Sequence, residues 1–165
     1  MRSFSIIHAN VDNIPEIIGI QEQTWEPTYG EILSQDQIDF MFEKIYSFQS
    51  LKEQMTVGNQ KFLILLNGKR AEGFASVSEE ETGSFKLHKI YVLPGTQGTG
   101  AGKYLLESVE SFVREHGAVK LTLNVNRYNK ARSFYEKMGF KVIREEDIPI
   151  GPYWMNDFVL EKDLV

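Results

Sequence analysis

The sequence predicts an α/β domain of the α+β kind: a mixed, mostly antiparallel sheet of about seven strands flanked by helices. Three observations lead there. Short runs rich in Val, Ile, Leu and Phe recur between turn signals. Asn67-Gly68 joins two of them as a two-residue hairpin, which makes the first half antiparallel. The stretch Lys86–Glu107, KLHKIYVLPGTQGTGAGKYLLE, reads as a strand, a Pro-Gly stop, a glycine-rich loop and an amphipathic helix.

The elements follow in order. Residues 2–8, with Phe4, Ile6 and Ile7, form a first strand. Asp12 is the expected N-cap of a helix through about Thr24, with Ile14, Ile17, Ile18 and Gln21 on one face and Pro15 in its first turn. A loop, Trp25-Glu26-Pro27-Thr28-Tyr29-Gly30, carries two large aromatics and a carboxylate. Ser34 caps a helix bearing Ile38, Met41 and Phe42, and Ser47 caps another through Met55. Lys61–Leu66 and Ala71–Ser78 are strands about the hairpin, and Glu79–Gly83 is a second turn whose acidic run is a solvated tip. The central strand, loop and helix come next, the helix stopping near His116-Gly117. The last third gives strand Lys120–Val125, a polar link Asn126–Asn129, a helix through Met138 stopped by Gly139, strand Phe140–Glu145 and a closing strand near Trp154–Leu160.

Composition narrows the functional classes. The 165 residues are read as one domain, 1–165, large enough to bury a core without staples. The absence of cysteine excludes disulfides, thiolate metal sites and a cysteine nucleophile, and suits a reducing compartment. The start, MRSFSIIHAN, lacks the apolar run of a signal peptide or membrane span. A net charge of −5 argues against a nucleic-acid surface and favours a small cationic partner. The expectation is a soluble, cytoplasmic protein with no nucleic-acid or membrane partner and no metal, with a homodimer left open.

Gly95, Gly98, Gly100 and Gly102 are more glycine than a turn requires. Removing Cβ atoms from a loop that opens a helix lets backbone N–H groups approach a ligand, and the helix N-terminus favours an anion such as a phosphate. Two familiar phosphate loops fail. A Walker A loop needs glycine where Gln97 stands and Ser or Thr where Tyr104 stands. A dinucleotide fingerprint needs G-x-G-x-x-G early in the chain, whereas Gly98, Gly100 and Gly102 give G-x-G-x-G past its middle.

What the residues match is Q/R-x-x-G-x-G/A, here Gln97-Gly98-Thr99-Gly100-Ala101-Gly102, after a strand ending Val-x-Pro. Downstream lie Leu121-Thr122-Leu123-Asn124-Val125 and Ala131-Arg132-Ser133-Phe134-Tyr135-Glu136-Lys137-Met138-Gly139-Phe140. The two blocks lie in the order of the GCN5-related N-acetyltransferases (GNAT), span about half the chain, and resemble that superfamily's acetyl-CoA loop and its strand-five, helix-four region. Within it the chain is similar to bacterial PaiA-type polyamine N-acetyltransferases, over Lys86–Gly102, Ala131–Phe140 and an ending with Ile150-Gly151 and Asp157.

The resemblance implies the GNAT fold, with two parallel central strands that splay apart, and direct acetyl transfer from acetyl-CoA to an amine in a ternary complex. The Gln97–Lys103 loop would hold the pyrophosphate, with Lys103 adding charge. Ile90, Tyr91 and Val92 would offer main-chain groups to the pantetheine, or serve as plain core. Tyr135 stands where the family's general acid stands, and a phenol, neutral at pH 7, suits protonation of a thiolate; the other reading is a core aromatic. The family asparagine position is Tyr128 here, so Asn129 either contacts the cofactor or caps the helix. His88 takes the place of a strand glutamate used by many relatives as base, and is either that base or structural. Trp25, Glu26, Tyr29 and Trp154 are candidates to line an acceptor groove by cation–π and carboxylate contacts, or to be core. The implied acceptor is a primary amine, polyamines foremost. The alternatives are acetylation of a protein or peptide N-terminus, a non-catalytic coenzyme A-binding module, and a nucleotide-phosphate domain.

Overall fold

The period-two and 3.6-residue apolar patterns resolve, in a computed structural model describing residues 2–165, into one seven-stranded sheet with helices on both faces. In chain order these are β1 (Phe4–His8), α1 (Ile14–Tyr29), α2 (Gln35–Tyr46), α3 (Phe48–Thr56), β2 (Lys61–Asn67), β3 (Arg70–Glu81) and β4 (Ser84–Val92). Then come α4 (Ala101–Glu115), β5 (Lys120–Asn126), α5 (Arg132–Lys137), β6 (Lys141–Ile150) and β7 (Tyr153–Asp163). The sheet runs β1-β2-β3-β4-β5-β7-β6, and every neighbouring pair is antiparallel except β4 and β5.

Two cores sandwich the sheet. On one face Leu105, Leu106, Val109 and Val113 of α4 pack on Leu63, Leu65, Leu87 and Leu121. On the other, Ile14, Ile17 and Ile20 of α1, Ile38 and Met41 of α2 and Leu51 of α3 cover Phe62, Ile64 and Phe74. Each such side chain, fully buried, contributes about 1.5–3 kcal/mol. The alternation of β2, Phe62 and Ile64 to one face and Leu63 and Leu65 to the other, supplies both cores at once.

The parallel pair is short. It runs from Ser84 opposite Lys120 to Leu87 opposite Leu123 and stops. At that point β4 carries an extra residue: Ser76 and Val77 of β3 face Lys89 and Leu87, leaving His88 as a bulge. A bulge bends and twists its strand. Beyond it β4 stays with β3, while β5 from Asn124 to Asn126 stays with β7. The two strands therefore diverge, as the family resemblance led one to expect.

Several local expectations are corrected. The cap near residue 12 is Asn10, whose Oδ1 accepts from the Asp12 amide at 2.8 Å while Asn13 Oδ1 accepts from the Asn10 amide at 3.0 Å. The segment from Trp25 to Tyr29 is the end of α1, not a loop. Pro27 sits in that last turn, where it forfeits the bond to the Gln23 carbonyl, and Trp25 pins the turn through its indole N–H to the Ile38 carbonyl at 3.0 Å. Glu79–Glu81 belong to β3; the reversal is Thr82-Gly83, with Gly83 at φ 79° and its amide bonded to Glu79 Oε2 at 3.0 Å. β6 and β7 form a longer hairpin than expected, its tip seated on α2: Phe40 meets Tyr153 at 5.5 Å, and Gln37 Nε2 donates to the Trp154 carbonyl at 2.8 Å.

Gly73 of β3 lies opposite Val92, and a Cβ there would sit 2.8 Å from the Tyr91 carbonyl oxygen, a backbone atom with little freedom to yield. Gly73→Ala is expected to lower stability by about 1–3 kcal/mol through that overpacking. The check is the urea midpoint; an unchanged midpoint would mean β3 and β4 do not approach as closely as described.

Candidate active site

Where β4 leaves β5, a cleft of about 700 Å³ opens. Leu87 through Val92 form one wall and Leu123 to Val125 the other, while Thr24, Thr28 and Tyr29 of α1 close one side. Gly98, Gly100 and Gly102 line it too, as do Phe134 and Tyr135 of α5, with the Phe134 ring beside Gly102. Beyond Leu87 the β5-facing main-chain groups of β4 have lost their strand partner, so Ile90 and its neighbours line the cleft with main chain free to bond a ligand.

The loop is built to expose N–H groups. Gly98 and Gly100 have φ of 77° and 88°, and a Cβ on either would meet nothing within 4 Å. Gly100 is the N-cap of α4, with no side-chain cap and no acidic residue in the first turn. The first N–H groups of that helix thus lack partners, and the positive end of its dipole faces the cleft. The residues fit a pyrophosphate. Lys103 lines the cleft too, 3.8 Å from Glu107 and largely exposed. Gln97 turns its amide back to the Val92 carbonyl at 3.3 Å. A residue that sequence reading missed, Glu72, ties the loop down: its buried carboxylate accepts from Thr96 Oγ1 at 3.0 Å, and its carbonyl from the Leu93 amide at 2.8 Å.

Tyr135 is 8% exposed and lines the cleft. Burial, then the neighbouring Tyr29, pushes its phenol well above the usual value, so it is neutral at all working pH. Tyr29 is buried in the α1 wall with its hydroxyl 3.5 Å from that of Tyr91. Desolvation raises both phenols as well. Asn129 lines the cleft, and its Oδ1 accepts from the Ala131 amide at 2.9 Å in the turn before α5, whose N-cap is Ala131.

His88 also lines the cleft, with Nε2 2.7 Å from Ser78 Oγ and 3.8 Å from Glu80 Oε1. Burial, together with Lys89 and Lys86, lowers its pKa to about 3. Lys89 itself is buried over the Phe62 ring and bonded to Gln60 Oε1 at 3.2 Å, and desolvation brings its pKa to about 7. The lowering at His88 makes the ring less basic than a free imidazole.

The other expected residues lie apart from the cleft lining. Ala101 is buried under α4 in the core, and Thr99 Oγ1 bonds the Thr96 carbonyl. Trp25 is a core residue, stacked edge-on against Tyr29 at 4.6 Å and Tyr46 at 5.3 Å. Glu26 is exposed beside Gln35 at 3.4 Å, and Trp154 is exposed on β7. The four aromatic and acidic candidates therefore do not form one groove; only Tyr29 lies in the cleft, because α1 continues through the expected loop. Asn124 and Phe134, which do line it, went unassigned. Asn124 carried a legible signal, as a polar side chain between Leu123 and Val125 on a buried strand. Among the described residues no cluster of His, Asp and Glu is placed to hold a metal ion.

Diverging strands, a helix N-terminus open to an anion and a buried neutral phenol thus line one cleft. Residues 31–151 match the acetyltransferase (GNAT) domain family, and the chain belongs to that family as an acetyl-CoA-dependent N-acetyltransferase. It is 27% identical over 151 residues to an uncharacterized N-acetyltransferase of Mycobacterium tuberculosis, covering 91% of this chain and 97% of that one. It is 26% identical over 165 residues to the spermidine N(1)-acetyltransferase of Thermoplasma acidophilum, covering 97% of each. The crystal structure of the PaiA N-acetyltransferase of Thermoplasma acidophilum in complex with coenzyme A superposes with a TM-score of 0.83 at 27% identity, over 98% of this chain and 99% of that one.

Two outcomes test the site. Gly100→Val is expected to abolish acetyl-CoA binding in calorimetry. Gly117→Val bears the same positive-φ strain, at 86° with open space around it but away from the cleft, and is expected to bind normally. Equal affinities for the two would refute the loop assignment. For His88, a folded pKa near 3 against an ordinary 6.5 means the unfolded chain binds the extra proton between those values. Its contribution to stability is full above about pH 6.5 and is lost as pH falls toward 3. His88→Gln is expected to flatten that part of a stability–pH curve measured by urea melts.

Proposed function

We propose that this enzyme transfers the acetyl group of acetyl-CoA to a primary amine of a small polycationic acceptor, polyamines foremost, by direct attack within a ternary complex. The observation that carries the reading is Tyr135, a buried neutral phenol on the cleft wall that also receives the phosphate-binding loop. Its hydroxyl donates the proton that the departing thiolate needs, and the main chain of Ile90 and Val92 orients the acyl arm. Bound acetyl-CoA supplies the activated thioester. The backbone of the loop and α4 holds its phosphates, with Lys103 adding charge. The net charge of −5 and the relative named for spermidine support a cationic acceptor. The test is a panel of polyamines, simple amines and amino-terminal peptides, scored by acetyl-CoA-dependent thiol release. Turnover confined to peptides would replace the polyamine reading by N-terminal acetylation, and binding without turnover would leave a coenzyme A-binding module.

Because the chain has no cysteine to carry an acyl group, sequential kinetics are expected. Parallel lines in double-reciprocal plots, or a trapped acetyl-enzyme, would contradict direct transfer. Tyr135→Phe removes only the hydroxyl. It should lower kcat and kcat/KM for the amine together by about 10²–10⁴-fold while acetyl-CoA affinity holds, since the proton is needed only as sulfur acquires charge. A folded Phe variant within a few-fold of wild type would assign Tyr135 to packing.

A further inference from the structure

Acetylation of an amine at neutral pH must take a proton from an ammonium, and burial lowers the basicity of His88. Behind Asn124 on the β5 wall stands a different group. Asp157 of β7 is 6% exposed, and Asn124 Nδ2 donates to its Oδ2 at 3.3 Å. Its Oδ1 is buried and makes no hydrogen bond. No cation among the described residues lies within ion-pairing distance of the carboxylate. Arg127 gives its guanidinium to Asp147 at 2.8 Å and Glu145 at 3.7 Å, and only its Nε reaches Asp157, at the backbone carbonyl 3.3 Å away. A half-satisfied buried carboxylate with no counter-ion costs stability, and such groups concentrate where chemistry requires them.

The surroundings point the same way. Asp157 stands behind the lining rather than in it, while Tyr29, in the cleft wall, has its phenol raised by burial, then by Tyr91 and last by the Asp157 charge. Desolvation and Glu146 of β6 raise the Asp157 pKa, against the lowering influence of Asn124, Lys86 of β4 and Arg127. The carboxylate is thus more basic than a free aspartate, whereas burial has made the His88 ring less basic than a free histidine.

Resting on the transferase reading above, we propose that Asp157 accepts the proton released by the acceptor's ammonium, through one water held between its unpaired Oδ1 and the Tyr29 hydroxyl. The ammonium loses a proton to the carboxylate, and the free amine forms the C–N bond as the C–S bond breaks. Tyr135 protonates the sulfur and recovers its proton from the second N–H of the new amide. Asp157 then releases its proton to solvent, which accounts for the one proton the reaction yields.

The experiment compares Asp157→Asn and Asp157→Glu with wild type, using whichever amine of the panel is turned over, so a failure of the polyamine reading leaves this test intact. Asp157→Asn is expected to lower kcat/KM for the amine by about 10²–10⁴-fold at pH 7 with acetyl-CoA affinity by calorimetry unchanged. Its kcat/KM should then climb about tenfold per pH unit toward the pKa of the amine, because only pre-formed free amine reacts. Asp157→Glu should recover part of the rate and keep an acid limb. Wild-type kcat/KM and an unshifted acid limb in Asp157→Asn would overturn the proposal. So would a loss of rate matched by a loss of melting temperature and acetyl-CoA affinity, which would make Asp157 part of the fold only.

Discussion

Everything at the site depends on the parting of β4 from β5 after Leu87 and Leu123. A parallel pair held along its full length would leave no cleft and no free main chain. The single extra residue at His88 bends β4 toward β3 while β7 keeps β5 in register up to Asn126. Both strands stay bonded on their outer sides, so the opening between them forfeits few hydrogen bonds. It also places the ends of the two strands, the start of α4 and the face of α5 around one space.

The cleft has two chemically different ends. At the loop, unpartnered N–H groups and two left-handed glycines offer positive potential and open room. Toward α1 and β5 the lining side chains include the phenols of Tyr29, Tyr91 and Tyr135 and the amide of Asn124. On the reading proposed above, an anionic cosubstrate and a cationic acceptor are sorted to opposite ends before any reaction occurs. Burial shifts the groups between them, keeping the Tyr135 phenol protonated and the His88 ring neutral.

Much of this was legible in the chain. The loop from Gln97 to Lys103 has a local cause, glycine content before a helix, and local causes show in sequence. Tyr135 was legible by its motif, and the Asn67-Gly68 hairpin by its turn chemistry. The acceptor side was not. Whether Trp25 faces a groove or the core turned on α1 running through Pro27, a tertiary outcome decided by the Ile38 carbonyl and the rings of Tyr29 and Tyr46. The lowered basicity of His88 depends on burial and on Lys89 beside it, neither readable from a lone histidine. Asp157 lies 33 residues from Asn124 in the chain, and only the β5–β7 pairing brings them together.

That pairing has a bearing on how the protein is made. β7 follows β6 in the chain but lies inside the sheet, between β5 and β6. Until it emerges from the ribosome, β5 has one bare edge and the nascent sheet ends there. The first four strands can assemble as each is synthesised, whereas closure waits for the final hairpin and for contacts between distant parts of the chain, which form slowly. During that interval the apolar edge around Leu121, Leu123 and Val125 is the surface most open to mispairing.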